Sequence, residues 1–352
     1  MRSFRIAVIP GDGIGQEVVP AGLEVLQAVT GPDTALAFEA FPWGCQYYLE
    51  TGRMLDPDAL DRLQPFDAIY FGAVGWPGVP DHVSLWGLRL AICQGFDQYA
   101  NVRPVRLLPG VTSPLRRGSA QTLDWVVVRE NSEGEYAGIG GRNLDARGHG
   151  KAVAIQAGLF TEEGCERIMR FAFDMALMRP RHKVTSVTKS NAQQYGMTLW
   201  DEVFRRVAAD YPGVQTEQWL VDAMAARFVL KPESLDVVVA SNLFADILSD
   251  LGSALAGSLG LAPSANLNPE GRFPSMFEPV HGSAPDIAGQ GVANPIGAIW
   301  SAALMLDHLG LTAEARRIVA AIEATTAAGI LPPDLGGTAT TRAVTDSILR
   351  HL

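Results

Sequence analysis

Asp246 and Asp250 lie four residues apart in LDVVVASNLFADILSDL (235–251), a spacing that stacks two carboxylates on one face of a helix. Such a pair is either a solvated acidic face or a set of hard oxygen ligands for a divalent cation. The apolar flanks Leu243, Ile247, Leu248 and Leu251 predict a well-buried helix, on which uncompensated carboxylates are costly. Asp222, just past the strand-like QTEQWLV, would complete an oxygen-rich site for Mg2+ or Mn2+. Lys189 ends another strand-like segment and is one of four lysines, against 24 arginines, in a total of 28. Where arginine is the default cation, a lysine at a strand end reads as kept for an amine that gives and takes a proton. Arg89, Arg103 and Arg129 fall at element ends. Each alone fits a surface ion pair; three together fit the clamping of a carboxylate, whose two oxygens match the guanidinium fork.

Two further residues stand near Arg89. His82 and Trp86 precede it by seven and three positions, so α-helical spacing points all three in nearly the same direction. If Arg89 holds a carboxylate, His82 and Trp86 touch the substituent beside it; the alternatives are core packing for Trp86 and a surface position for His82. A guanidinium on that apolar stripe, shared with Leu85, Ile92 and Phe96, also needs an acid. Asp286, in the long Gly, Ser, Ala and Pro-rich stretch 282–295, is a candidate partner for ribose hydroxyls.

Positioning these groups takes a chain of alternating strands and helices. Residues 237–239 are a β-branched run too short for a helix and read as a buried strand, with Asn242 as N-cap of the helix that follows. Open α/β sheets place their ligands at such strand ends. Strands are expected at 4–9, 36–42, 66–71, 183–188 and from 126. Helices are expected from the first glycine loop to about 29, at 58–64, 161–178, 197–209, after Gly252, and at 295–309, 312–328 and 340–352. The opening loop Gly11-Asp12-Gly13-Ile14-Gly15 is one residue short of the GxGxxG dinucleotide fingerprint and serves equally as a tight turn. Residues 138–150 are glycine-rich and polar and lead into the alternating KAVAIQAGLF. That pattern predicts a protruding ribbon suited to a subunit contact, or an ordinary surface hairpin.

The 352 residues suffice for two core-forming lobes or one large α/β unit with an insertion. A formal charge of −10 without a basic stripe disfavours a nucleic-acid surface, so an anionic substrate depends on locally focused arginines. No apolar run approaches the ~20 residues that span a bilayer, and the first apolar segment turns straight into a glycine loop, as a first strand does and a signal peptide does not. A cytoplasmic protein is expected. Cys45, Cys93 and Cys165 are odd in number and lack CxxC spacing, which fits structural thiols in a reducing compartment.

Read together, IPGDGIG, NVRP, RENSEGEYAG, TKSNAQQYG, VDAMAARFV, NLFADILSDLGS, EPVHGSAPDIAGQGVANP and PPDLGGTATT resemble the β-decarboxylating dehydrogenases, which act on isopropylmalate, isocitrate, homoisocitrate, tartrate and D-malate. The resemblance covers essentially the whole chain. It implies a two-lobed α/β fold, with a mixed central sheet flanked by helices and a protruding dimerisation ribbon. Residues 1–102 and 257–352 would form a large lobe carrying an NAD loop. Residues 103–256 would form a small lobe carrying the dimer interface, with the ribbon at about 138–158. The same resemblance implies a homodimer whose active sites are shared. Arg89, Arg103 and Arg129 would hold the carboxylate that leaves as carbon dioxide. Asp246 and Asp250, with Asp222 from the other subunit, would hold Mg2+ or Mn2+. Lys189, also from the other subunit, would take the hydroxyl proton, and Tyr136 would protonate the enol.

For the cofactor, the resemblance singles out His281, Gly282, Ser283, Ala284, Asp286, Ile287 and Asn294. NADP-using members carry a basic and an aromatic residue where this chain has Asp286 and Ile287, and an aspartate would repel a 2′-phosphate, so NAD is implied. The resemblance also admits a monovalent cation such as K+ as an additional cofactor. Isopropylmalate enzymes present a glutamate and two leucines ahead of the first arginine; here those positions hold His82, Leu85 and Trp86. SLWGLRLAICQGFDQYANVRP is most similar to the tartrate and D-malate branch. The expected activity is NAD- and metal-dependent oxidation and decarboxylation of D-malate to pyruvate, with tartrate oxidation as a related activity. The rival is 3-isopropylmalate dehydrogenase, differing by about 1 to 3 kcal/mol per altered pocket group. A non-catalytic nucleotide- or metabolite-binding homologue is the alternative of another class.

Overall fold

The computed structural model describes residues 2–144 and 151–352. The chain divides into two compact units, one formed by 1–124 with 252–352 and the other by 125–251. The crossings thus fall at Asp124/Trp125 and Leu251/Gly252, against the expected positions near Arg103 and Gly257. The stretch after Arg103 stays with the first unit because it is tied there: Ser113 Oγ donates to Leu255 O at 2.6 Å, and Arg106 Nη2 pairs with Glu323 Oε1 at 2.5 Å.

In the first unit the strands are β1 (Arg2–Gly11), β2 (Thr34–Ala40), β3 (Ala68–Ala73) and β4 (Ala100–Arg106). The second unit holds β5 (Asp124–Glu130), β6 (Gly134–Leu144), β7 (Ala152–Leu159), β8 (Lys183–Thr188), β9 (Gln215–Leu220) and β10 (Val237–Ala240). The first unit is completed by β11 (Pro263–Leu267) and β12 (Ser275–Pro279). Its strand order is β2-β1-β3-β12-β11-β4, parallel except that β11 runs antiparallel to both its neighbours. In the second unit the order β5-β10-β8-β9 is wholly parallel. β10 is buried along its whole length, as an unbroken Val-Val-Val run in the middle of a parallel sheet must be. Helix Ile296–His308 is apolar on most sides and buried accordingly.

Strands β11 and β12 add to those expected, because Pro, Ser and Asn dilute their apolar signal. Two expectations are corrected. The small-residue helix expected after Gly252 is the last turn of helix Asn242–Leu255. Ile247, expected to help bury that helix, is 57% exposed in the single chain.

β6 and β7 pair antiparallel as a two-stranded ribbon, with an irregularity between Gly134 and Ile139. Residues 145–150, within the expected ribbon of about 138–158, lie outside the described residues. Helix Glu162–Leu177 begins as expected, with the Thr161 hydroxyl accepting from Gly164 N at 3.0 Å. The helix around Arg89 departs from expectation. Asp81–Ser84 and Leu90–Gly95 are α-helical, but Leu85–Arg89 is a π turn closed by Leu90 N–H donating to Leu85 O. Gly87 lies in this turn, and a Cβ there would meet Met54 Cγ at 2.7 Å. Single π turns frequently mark functional sites.

Candidate active site

In the second unit, the chemistry gathers where β5 ends and helix Asn242–Leu255 begins. Arg129, 2% exposed, donates from Nε and Nη2 to Asn242 Oδ1 at 2.9 and 2.6 Å, and Nη1 pairs with Asp246. Asn242 was expected to cap its helix; the structure instead starts the helix on it and gives its side-chain oxygen to the arginine. The Arg129 guanidinium carbon stands 5.3 Å from the Tyr136 ring centroid, over the ring face. Three of the expected residues, Arg129, Asp246 and Tyr136, are thus brought together. Asp250 follows one turn after Asp246 and is exposed.

Lys189 and Asp222 make a second cluster. Lys189 extends from the end of β8 and donates from Nζ to Asp222 Oδ1 at 2.7 Å, with Asp222 in the first turn of helix Val221–Leu230. The hydrogen bond from Lys189 holds the Asp222 carboxyl below the usual carboxylate range. Among the described residues of one chain, no three His, Cys, Asp or Glu side chains converge as a metal site. Asp246 and Asp250, one turn apart, nevertheless offer the carboxylate oxygens that suit Mg2+ or Mn2+.

In the first unit, Arg89 has found its acid within the chain. Its Nε donates to Glu278 Oε1 at 2.8 Å, its Nη2 ion-pairs with the same oxygen at 2.6 Å, and Nη2 also reaches Asn266 Oδ1 at 3.2 Å. Asn266 Nδ2 in turn donates to Glu278 Oε1 at 2.7 Å, and Asn101 Nδ2 donates to Asn266 Oδ1 at 2.9 Å. A buried guanidinium held in this way keeps a fixed direction. Arg103, on β4, is also buried. His82 is exposed and Trp86 half-buried. Because the π turn intervenes, the common direction of His82, Trp86 and Arg89 drawn from α-helical spacing does not carry across it.

The stretch 282–295 has no helix or strand and walls a cavity of about 390 Å3 with Ile14, Ser258, His281, Ile287, Asn294 and Asp334 among its lining. His281 Nδ1 is 2.9 Å from Gly282 O, while its Nε2 is buried without a hydrogen-bond partner among the described residues. Burial holds this imidazole below its usual pKa. A neutral ring with an orphaned nitrogen in a cavity of this size suits a hydrogen-bonding part of a bound cofactor. Asn294 donates to Asp334 Oδ2 at 3.0 Å. Asp286 is exposed beside this lining, and its carboxylate makes no hydrogen bond among the described residues.

The opening glycine loop explains how this stretch is seated. Ile14 N donates to Ser283 O at 2.9 Å, and Glu17 accepts from Gly289 N and Gly291 N at 2.6 and 3.0 Å. Gly13, at φ +54, lets the two loops touch, since a Cβ there would stand 2.0 Å from Ser283 O. Sequence reasoning missed Glu17, Glu278, Ser258 and Asp334. Glu278 and Asp334 lie inside motifs that could have flagged them, EPVHGSAP and PPDLGG; Ser258 and Glu17 carried no signal.

Residues 5–348 match the family model described as isocitrate/isopropylmalate dehydrogenase. The chain belongs to the isocitrate/isopropylmalate dehydrogenase family. It is 58% identical over 350 residues to a probable tartrate dehydrogenase/decarboxylase of Agrobacterium vitis, covering 99% of this chain and 96% of that one. To the D-malate dehydrogenase [decarboxylating] of Escherichia coli (strain K12) it is 52% identical over 358 residues, 99% of each chain. The tartrate dehydrogenase/decarboxylase of Pseudomonas putida is also 52% identical, over 99% of this chain and 98% of that one. The isocitrate dehydrogenase of Methylococcus capsulatus superposes with a TM-score of 0.89 at 34% identity, over 100% of this chain and 99% of that one. This member of the isocitrate/isopropylmalate dehydrogenase family is therefore a decarboxylating dehydrogenase with the family's mixed α/β fold, a large sheet flanked by helices. Among the described residues no helix is long and apolar enough to cross a membrane.

Proposed function

We propose that this enzyme oxidises and decarboxylates D-malate to pyruvate and carbon dioxide with NAD and Mg2+ or Mn2+, and oxidises tartrate as a related activity. The observation that carries the reading is the Arg129, Asp246 and Tyr136 arrangement: a fixed guanidinium that pairs with a metal-type acid and lies over a phenol ring. The names of the tartrate and D-malate relatives support the substrate class, as does Trp86 where a leucine would leave room for an isopropyl group.

In this reading Arg89, Arg103 and Arg129 bind and orient the departing carboxylate, each guanidinium presenting N–H donors to a carboxylate oxygen. Asp246 and Asp250, with Asp222 of the partner subunit, hold the divalent cation, and His281, Gly282, Ser283, Ala284, Asp286, Ile287 and Asn294 hold NAD. When bound, the cation supplies positive charge to the substrate oxygens, and NAD supplies a hydride acceptor. Lys189 takes the hydroxyl proton at Nζ and Tyr136 returns one from its phenol oxygen. His82 and Trp86 keep a place beside the substrate that the likeness to the tartrate and D-malate relatives supports, not one drawn from helical spacing. Lys189 acts on the neighbouring subunit's substrate, which makes the working form a homodimer joined partly by the ribbon. Three free buried cysteines agree with a cytoplasmic setting.

The test is NADH formation with NAD and Mn2+ from D-malate, meso-tartrate, L-tartrate and 3-isopropylmalate in parallel. D-malate is expected to lead. Isopropylmalate turning over faster by an order of magnitude would move the enzyme to the alternative assignment, and no turnover of any of them would favour the non-catalytic reading.

A further inference from the structure

The base of the ribbon carries a second polar cavity, of about 490 Å3, lined by Glu135, Gln156, Gly158, Phe160, Gln193 and Tyr195 among others. Two oxygens among these side chains, Glu135 Oε2 and Gln193 Oε1, are buried and have no hydrogen-bond partner among the described residues. They come from different elements, β6 and the turn after β8, and are tied together: Gln193 Nε2 donates to Glu135 Oε1 at 3.2 Å. Gln156 Nε2, from β7, donates to Glu135 O at 2.9 Å.

The glycines give the cavity its shape. A Cβ at Gly196 would meet Phe160 Cδ2 at 2.3 Å, and one at Gly158 would stand a tight 3.2 Å from Phe160 Cε2, so the ring is seated between two glycines. Tyr195 is 83% exposed at the same place.

Each orphaned oxygen can only accept, and one belongs to a carboxylate. A buried carboxylate oxygen without a donor costs far more than one with its partner in place. What these atoms lack is N–H donors carrying positive charge, and two aromatic rings beside them add attraction for a cation. The volume exceeds what one small ion fills and suits a cation on a short carbon stem.

We propose that this cavity binds a small alkylammonium or guanidinium cation, with Glu135 Oε2 and Gln193 Oε1 as its acceptors. The location gives such a site consequence, resting on the proton-transfer roles proposed above. Glu135 adjoins Tyr136 in the chain, and Ala192 N and Gln193 N both donate to Lys189 O at 2.9 Å.

The test is calorimetric titration of the full-length protein, without substrate, NAD or divalent metal, using methylguanidinium, methylammonium, potassium and choline chlorides at equal ionic strength. Because substrate is absent, the result stands apart from the success or failure of the D-malate reading. Saturable binding of the first two salts is expected, with none of potassium or choline, which offer no N–H donor. Binding should be roughly tenfold weaker in Glu135→Gln, which loses a charged hydrogen bond, and weaker to a smaller degree in Gln193→Met. The proposal is overturned by no saturable binding to the wild type, by equal binding of choline or potassium, or by binding that neither substitution changes. A Glu135→Gln protein that sediments as a smaller species than the wild type would also overturn it, by identifying the occupant as a side chain of a second copy.

Discussion

Gly13→Ala tests whether the opening glycine loop serves the cofactor by seating stretch 282–295. The added Cβ would stand 2.0 Å from Ser283 O, and ordinary contact begins at 3.4 Å, so the two loops must part by about 1.4 Å. The obstacle is backbone and cannot swing aside as a side chain would. An L side chain at φ +54 adds about 1 to 2 kcal/mol of backbone strain. The Ile14 N to Ser283 O bond breaks, whereas the two bonds from Gly289 and Gly291 to Glu17 sit further along and should survive. The loop is therefore displaced rather than released, moving His281 and Ala284 against the cofactor. Displacements near 1 Å cost up to about 100-fold where a bound group is positioned. The expected result is an NADH affinity lower by roughly 10- to 100-fold, or about 1.4 to 2.7 kcal/mol, read by the fluorescence of titrated NADH. Gly52→Ala is the control: it has the same positive φ (+75) but open space around it, so it should lose stability from strain while NADH affinity holds. NADH affinity within twofold of wild type in Gly13→Ala would show that the loop contact has no part in cofactor binding.

Glu130, 3% exposed, has its pKa raised by burial to about 7, against 4.5 for the exposed group, although Ser132 N and Glu133 N donate to it at 3.0 and 2.7 Å. The folded state binds this proton more tightly, so the contribution is complete below pH 4.5 and lost as pH rises through 7. Urea unfolding should lose about 3 kcal/mol over that window in wild type, with the slope reduced in Glu130→Gln; parallel pH profiles would exclude Glu130 as the titrating group. Lys189→Ala should keep NADH affinity and abolish D-malate oxidation, and substantial residual turnover would remove Lys189 as the base. Asp286→Lys combined with Ile287→Tyr should shift the kcat/KM ratio toward NADP, whereas an unchanged ratio would refute the assignment of NAD to Asp286.

Elements with a strong local signal were legible in the sequence. Val237–Ala240 is a buried strand because a short β-branched run suits a strand covered on both faces, and Thr161 caps its helix through a hydroxyl whose role is local. What failed depended on partners distant in sequence. The acid demanded by Arg89 was foreseen, but Glu278, 189 positions away, could not be chosen among 38 acidic residues. Asn242 looked like a helix cap because the competing donor, Arg129, sits 113 positions earlier. The π turn escaped because no residue type announces one; it shows only as Leu90 bonding to Leu85. Of the candidate site, the residue types were readable and the pairings, Lys189 with Asp222 and Arg129 with Asp246, were not.

The interleaving of β11 and β12 between β3 and β4 bears on the order in which this chain is built. Residues 125–251 form a unit that is continuous in sequence and can close as soon as it leaves the ribosome. The first unit cannot: β3 pairs with β12 and β4 with β11, and those partners lie beyond residue 252. From the end of β4 at residue 106 to the start of β11 at residue 263 the chain advances by 157 residues, which at about 5 to 20 residues per second takes roughly 8 to 30 s. Throughout that interval β3 and β4 each keep an unpaired edge, the kind of surface that invites pairing with another nascent chain. The strands made early are thus the last to be sealed, so newly made chains should depend on chaperones through the edges of β3 and β4 more than through the second unit.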